Sequence, residues 1–385
     1  MARSGLDLKL LVAVLILLLL SVCFVYTASS ARAERTQDDS AFFLKRQLLR
    51  LALGLFLMFW LMRIDYHELL RWAPAIYGVT LALLIALLFA PESWVIRGSR
   101  RWMLLGPFQV QPSEFAKFGL ILYLAANLTK PKLDVRQFTD GLLPQLLLAG
   151  AVVLAVALEP DMGTAILIAA IAFSMLFLSG AKFRHLFSLA MIGVGAALAL
   201  VWRVAYQRGR VESFVESLFG EAEPAWQVKQ SLIGLGNGGL TGLGLGKSKQ
   251  KLLFLPDPFT DFIMSIIGEE LGIIGTLAVV TLFLIILWRG FHIARRAPDA
   301  AGRLLALGIT CAIGLNAFIN LAVVTSLLPT TGIPLPFVSY GGSSLIVHLC
   351  AVGILLNLSQ ANKPPAGSTT KIPLARVRWY RDKKN

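Results

Sequence analysis

Charged side chains are scarce. Asp, Glu, Lys and Arg supply 15% of the 385 residues while hydrophobic residues reach 56%, and a soluble domain carries about 25% charge. The strongly positive mean hydropathy completes the exclusion: this is an integral membrane protein. Cysteine is nearly absent as well. Cys23, Cys311 and Cys350 fall inside apolar runs with no sensible pairing, which excludes a disulfide or metal framework and leaves them as small buried hydrophobes. Histidine numbers four; His67, His185 and His292 fall at predicted cytoplasmic boundaries and His348 reads as a packing residue. No internal repeat is evident, which weighs against a transporter built from inverted halves.

A window of roughly 20 residues per span gives about ten apolar segments, near 8–27, 43–62, 73–90, 112–128, 141–158, 162–180, 185–202, 262–288, 303–327 and 340–358. Ala31, Arg32 and Ala33 resemble a small-residue cleavage site, but the preceding apolar run is long and further spans follow, so the first span reads as an uncleaved anchor. The predicted fold is an all-α integral membrane protein, a polytopic bundle of about ten transmembrane helices forming one domain over 1–385. A large extracytoplasmic loop (203–261) separates the seventh and eighth helices, and a basic tail (359–385) follows the last.

Basic residues exceed acidic ones, 36 to 22, for a net charge of +14. Basic loops and tails are the common topology signal of the cytoplasmic side, so nucleic acid is not implied. With both termini cytoplasmic, every predicted inner segment is basic: Arg3 and Lys9; Arg63 and Arg71; Lys130, Lys132 and Arg136; Lys182 and Arg184; Arg289, Arg295, Arg296 and Arg303; and the tail from Lys363 to Lys384. Two predicted outer loops, 159–161 and 330–339, hold no Lys or Arg. The others do: Arg97, Arg100 and Arg101 in one, and Arg203, Arg208, Arg210, Lys229, Lys247, Lys249 and Lys251 in the longest. Topology disfavours cations there, so they imply an anionic ligand at the outer face.

The outer loop ends in FLPDPFTDF, and a structureless loop of its length is unusual, so it reads as a cap with short helices. Its glycine-dense run ends in Gly246-Lys247-Ser248, like a phosphate loop. Thr241 stands where that motif needs glycine and no strand precedes, so the match fails and tight turning explains the glycines. Asp261 marks the junction with the eighth span, with Glu269 and Glu270 about two turns on. It reads either as a helix N-cap or as a carboxylate facing a wet cavity, and both readings stay open.

Pro112 suggests a helix start, with Glu114 and Lys117 three apart on one face of the fourth span. That pair is either a structural salt bridge or the place where Lys117 receives an anionic headgroup, with Arg100 and Arg101 near the mouth. In the stretch 320–345, three prolines and three glycines (Pro329, Pro334, Pro336, Gly332, Gly341, Gly342) interrupt membrane-grade sequence. Lipid forbids irregular backbone unless protein or water satisfies it, so this break must be buried or line a cavity.

FFLKRQ, SRRW, QPSEFAK, EPDMGTA, YQRGR, WQVKQSLIGLGNGGLTGLGLG, KLLFLPDPFTDFI, GEELGIIG and the run from Asn320 to Leu345 occur in this order across nearly the whole chain. Together they resemble the SEDS family of bacterial cell-wall proteins (FtsW, RodA and SpoVE), and FFLKRQ, YQRGR and the VVT and PTTG pieces are more similar to its division branch, FtsW, than to the elongation branch. Two positions depart from the pattern: Ser326 replaces a usual glycine, and Pro258 and Phe259 stand in a loop that more typically reads LPEAHTDF.

The resemblance implies a peptidoglycan glycosyltransferase that polymerises lipid II at the outer face of the inner membrane. In that reaction the 4-hydroxyl of one disaccharide attacks the anomeric carbon of another and expels undecaprenyl pyrophosphate with inversion. It implies Asp261 as general base or as ligand to a divalent cation (Mg2+ or Mn2+), with no organic cofactor. Lys117, Glu114, Arg100, Arg101, Lys229, Gln230, Ser339 and Ser343 are the implied substrate-binding residues. The implied partners are a class B penicillin-binding protein and other divisome or elongasome membrane proteins. A lipid II flippase and a non-catalytic scaffold are the competing readings.

Overall fold

The computed structural model describes residues 5–91, 94, 99–105, 108–131, 133–203, 205–220, 223–252 and 255–361. Arg3, Arg97, Lys132 and the basic tail from Lys363 onward lie outside the described residues. The chain is built from helices: α1 (Leu8–Gln37), α2 (Phe42–Leu61), α3 (Tyr66–Leu88), α4 (Pro112–Asn127), α5 (Leu143–Leu158), α6 (Met162–Leu178) and α7 (Phe183–Arg203). The long segment after α7 carries α8 (Ala205–Leu218) and α9 (Trp226–Gly238), and α10 (Ile263–Arg296), α11 (Ala300–Val324) and α12 (Gly342–Gln360) follow. A short antiparallel pair, β1 (Met103–Leu105) and β2 (Phe108–Val110), precedes α4.

Every expected apolar span falls on one of these helices, α1 to α7 or α10 to α12. Among the described residues, 6 helical stretches are long and apolar enough to cross a membrane by length and composition. One boundary moves markedly: α3 begins at Tyr66 because Asp65 caps it by accepting from the His67 N–H, and Pro74 is absorbed inside the helix. The cysteines also differ from expectation, since Cys23 is exposed on α1 and Cys311 and Cys350 are only partly covered. In a bundle bathed by lipid an apolar residue gains little by turning inward.

Side-chain bonds tie the helix ends into two opposite layers. At one end Arg289 grips Asp7, Tyr66 donates to Asp299 and Asn357 donates to the Met62 carbonyl. At the other, Arg32 pairs with Asp257, Arg101 with Asp161, and Arg210 donates to the Thr330 carbonyl. This sorting is what alternate threading of the helices demands, and it places the loop of α8 and α9 on the same side as the α11–α12 break.

The helix α10 is interrupted at Gly272, whose φ of 68° suits glycine. The freed amide groups of Ile273 and Ile274 donate to the Gly239 and Leu240 carbonyls of the glycine-dense loop, while Leu243 and Gly244 donate to the Glu269 and Glu270 carbonyls. The loop thus satisfies the break, as a low-dielectric setting requires. Its glycines are a matter of approach distance: a Cβ on Gly242 (φ +81°) would lie 2.2 Å from the Glu270 carbonyl oxygen.

Candidate active site

The loop before α10 is held from three sides. Thr260 donates its N–H and hydroxyl to the Asp257 carbonyl, and the Asp257 carboxylate pairs with Arg32 of α1. Phe259 is buried, and its ring meets Phe43 at 4.7 Å and Tyr340 at 5.4 Å. The Tyr340 N–H donates to the Phe259 carbonyl at 2.8 Å in the same seam. The unusual Phe259 of the sequence therefore closes an aromatic triad joining the loop to α2 and to the segment ahead of α12.

Asp261 follows at once. The N-cap position of α10 goes to Phe262, which makes no side-chain cap hydrogen bond. Asn320 of α11 donates to both the Asp261 and the Ile333 carbonyls at 2.8 Å, stapling this loop to the Pro/Gly break. The Asp261 carboxylate faces Gly332, where a Cβ would come within 3.7 Å of Oδ2. The break itself is buried at Ile333, Leu335, Phe337 and Val338, as its sequence requires. Ser326 at its start adopts φ 60°, the left-handed conformation that explains why glycine is the more natural residue there.

Two polar oxygens at the break and on the helix that staples it, Thr331 Oγ1 and Asn320 Oδ1, are buried and accept no hydrogen bond from the protein. Arg210 of α8 reaches the neighbouring Thr330 carbonyl at 3.1 Å. A carboxylate, open acceptors and a guanidinium thus converge on one short segment.

A second polar group lies one turn away along α11. Asn316, four residues before Asn320 and hence on the same face, donates to His348 Nε2 at 3.2 Å. The other ring nitrogen, Nδ1, donates to the Ser344 carbonyl at 2.7 Å, which fixes the neutral tautomer. Lys117 donates to Glu114 at 2.9 Å, and both side chains are buried, at 0% and 4% exposure. His348 is the satisfied residue expected, yet it lies close to the Glu114–Lys117 pair, the most strongly buried ion pair among the described residues.

A third group forms the rim. The Gln111 N–H donates to Ser343 Oγ at 2.8 Å, and its side-chain amide reaches Asp161 at 3.4 Å. Arg101 donates to the Ser99 hydroxyl and the Pro160 carbonyl and stands 3.7 Å from Asp161. Glu159, between α5 and α6, is buried with neither carboxyl oxygen hydrogen-bonded. Burial first, and the Asp161 carboxylate second, push its pKa up to about 8 against the opposing pull of Arg101.

The expected site residues therefore divide. Asp261, Glu114, Lys117, Ser343 and Arg101 fall into these linked groups. Ser339 is buried and its hydroxyl accepts from the Leu335 N–H, closing a turn of the break. Arg100 donates to the Leu88 carbonyl, Lys229 pairs with Glu223 toward solvent, and Gln230 is buried within α9. Lys251 is taken by Glu270. Sequence reasoning did not single out Arg210, Asn316 or Asn320 as site residues; two asparagines four apart within an apolar helix were the available signal.

A family profile described as "Cell cycle protein", for FtsW, RodA and SpoVE, matches residues 8–364. The chain is 41% identical over 356 residues to the probable peptidoglycan glycosyltransferase FtsW of Geobacter sp. (strain M18), covering 92% of this chain and 97% of that protein. It is 40% identical over 361 residues to the stage V sporulation protein E of Bacillus subtilis (strain 168), covering 94% and 99%. Among solved structures, the fold is similar to a chain from a study of how a peptidoglycan synthase complex coordinates polymerization and crosslinking (TM-score 0.75, 31% identity, 92% of this chain and 98% of that one). It is also similar to the rod shape determining protein RodA of Thermus thermophilus (TM-score 0.69, 30% identity, 94% and 98%).

Proposed function

We propose, on the premise that this chain belongs to the FtsW/RodA/SpoVE family, that its peptidoglycan glycosyltransferase activity is the polymerisation of lipid II, with Asp261 at the reacting centre. The observation that carries this reading is that the segment from Thr330 to Ile333 is met by the Asp261 carboxylate at Gly332, by Arg210 at the Thr330 carbonyl and by Asn320 at the Ile333 carbonyl, with the Asn320 and Thr331 side-chain oxygens left as open acceptors.

The acceptor 4-hydroxyl forms the new C–O bond at the donor anomeric carbon as the bond to pyrophosphate breaks. Its proton passes to the Asp261 carboxylate, and the leaving group departs with the electron pair. Asn320 and Thr331 orient the sugar by accepting from its hydroxyls, and the Arg210 guanidinium offsets the charge that develops on the departing pyrophosphate. Fixed donors and acceptors need no reorganisation as the charge moves.

The alternative role for Asp261 is to hold a divalent cation. Among the described residues no group of three or more His, Cys, Asp or Glu is placed to cage a metal. Mg2+ is commonly bound through one or two carboxylates together with substrate phosphates, and Asp261 fits that open kind of site. A divalent ion bound there supplies charge neutralisation of the pyrophosphate.

The reading extends to setting. The basic ends of the bundle at Arg289, Arg295, Arg296 and Arg303 support a plasma-membrane orientation with both termini cytoplasmic and Asp261 at the outer face. The likeness to a synthase that couples polymerisation to crosslinking supports a penicillin-binding partner of class B. Identity of 41% to an FtsW protein against 30% to RodA favours service in division.

The test is lipid II polymerisation by the purified chain in liposomes with divalent metal and the partner supplied, comparing wild type with Asp261→Asn. Glycan strands from wild type and none from a folded variant are expected. Equal polymer from both overturns the role of Asp261, and leaflet exchange of lipid II without polymer from either overturns the transferase reading in favour of a flippase.

A further inference from the structure

At the end of the bundle opposite Asp261, where α1 begins and α10 ends, a concavity of about 390 Å³ is edged by Lys9, Arg289, His292 and Arg296. Arg289 is fixed there by Asp7, which accepts from Nε and Nη2 at 2.6–3.0 Å and is itself only 7% exposed. That carboxylate is consumed by the pairing. Lys9 and Arg296 form no ion pair among the described residues. The Lys9 ammonium stands 5.5 Å from the centre of the Trp288 ring, and the Arg289 guanidinium 5.2 Å from the same ring.

A second concavity, of about 490 Å³, runs on from the first along the same two helices and shares Leu8 and Lys9 with it. Its walls are Val12 and Ile16 of α1 and Leu282, Ile285 and Trp288 of α10. Val12 and Ile16 are 51% and 41% exposed. From Leu8 to Ile16 the groove follows about 12 Å of helix, close to the depth of one leaflet of a hydrocarbon core about 30 Å thick.

Topology by itself explains cations at this end. It does not call for a hollow lined with them, nor for an apolar groove opening from that hollow toward the bilayer centre. Headgroup charge and acyl chain together match both halves, with Trp288 at the level where indole rings favour the interface.

The geometry points to a binding site for an anionic phospholipid between α1 and α10, its phosphate against Lys9, Arg289 and Arg296 and one acyl chain along Val12, Ile16 and Ile285. The lipid comes from the leaflet at this end of the bundle, the cytoplasmic one under the orientation proposed above. The site is separate from the glycosyl-transfer centre and stands or falls without it.

The experiment is native mass spectrometry of the full chain titrated with phosphatidylglycerol or with phosphatidylcholine of the same acyl chains. Three variants accompany wild type: Lys9→Gln with Arg296→Gln, Ile16→Trp to fill the groove, and Lys182→Gln with Arg184→Gln as a control at another basic loop. All change exposed or partly exposed positions, so folding is preserved. Wild type should hold phosphatidylglycerol in preference to phosphatidylcholine. The first variant should bind it about thirtyfold more weakly, which is roughly 1 kcal/mol per basic residue at an anionic surface. Ile16→Trp should weaken both lipids, and the control should match wild type. Equal binding of the two lipids, or an unaffected Lys9/Arg296 variant, overturns the proposal. Glycerol phosphate binding as tightly as the lipid, with Ile16→Trp without effect, overturns it in favour of a soluble-phosphate site.

Discussion

Breaking the Glu114–Lys117 pair separates a structural role from a functional one. The two side chains are 0% and 4% exposed and 2.9 Å apart, so either one alone is a buried charge without its counterpart. Removing one partner of such a pair costs about 3–5 kcal/mol, whereas replacing both by neutral groups of similar volume is close to neutral. Unfolding entropy near 2.1 cal/mol/K per residue gives about 0.8 kcal/mol/K for a chain of this length, so Lys117→Met should lower Tm by about 4–6 °C. Glu114→Gln should behave similarly, and the double variant should return to within about 1 °C of wild type. Thermal unfolding of the purified chain in one detergent measures all four members of the cycle. Single losses that simply add in the double variant would refute the reasoning, because they would show that each charge is solvated independently. Polymerisation by the double variant then gives the second answer. Retained activity marks the pair as structural, and lost activity on an intact fold places Lys117 on the substrate.

Other consequences follow from the same geometry. The Glu159 pKa near 8 lies above its ordinary 4.5, so the folded state holds an extra proton between those values. Stability should therefore fall by a few kcal/mol as pH rises from about 5 to 8; Glu159→Gln should flatten that decline in Tm against pH, and an unchanged slope would contradict it. Gly242→Ala combines a left-handed backbone with a Cβ 2.2 Å from the Glu270 carbonyl. It should cost about 1–3 kcal/mol or more and speed tryptic cleavage at Lys247, Lys249 and Lys251, with wild-type cleavage rates as the refuting result. Arg210→Gln should lower the polymerisation rate by about 100- to 1,000-fold if the guanidinium offsets leaving-group charge while leaving Tm within about 1 °C, and full activity would remove Arg210 from the site.

Much of the architecture was legible because bilayer physics constrains sequence so strongly. Apolar runs of fixed length, prolines and glycines collected at 329–342, and cations sorted to loop ends each have one economical explanation in a membrane. Asp261 stood out for a similar reason, as a carboxylate at the edge of an apolar span. The glycine-dense run was read as tight turning, in keeping with the positive φ of Gly239, Gly242, Gly244 and Gly246, but its close approach to the Glu270 and Gly268 carbonyls was not legible.

Which polar residues meet was another matter. Nothing in the string places Asn320 on the carbonyls of Asp261 and Ile333, or Phe259 between Phe43 and Tyr340, because these partners are far apart in the chain and are brought together only by helix packing. The same packing gives two of the expected binding residues partners within the chain, Arg100 at the Leu88 carbonyl and Lys229 at Glu223. Hydropathy and charge patterning, which act through the solvent each segment prefers, were determined by the sequence alone, and with them the membrane class, the helices and the break. Hydrogen-bond geometry acts over about 3 Å, so the placement of Arg210 on the Thr330 carbonyl, Asn316 on His348 and Asn320 on the Asp261 carbonyl was left to the tertiary structure.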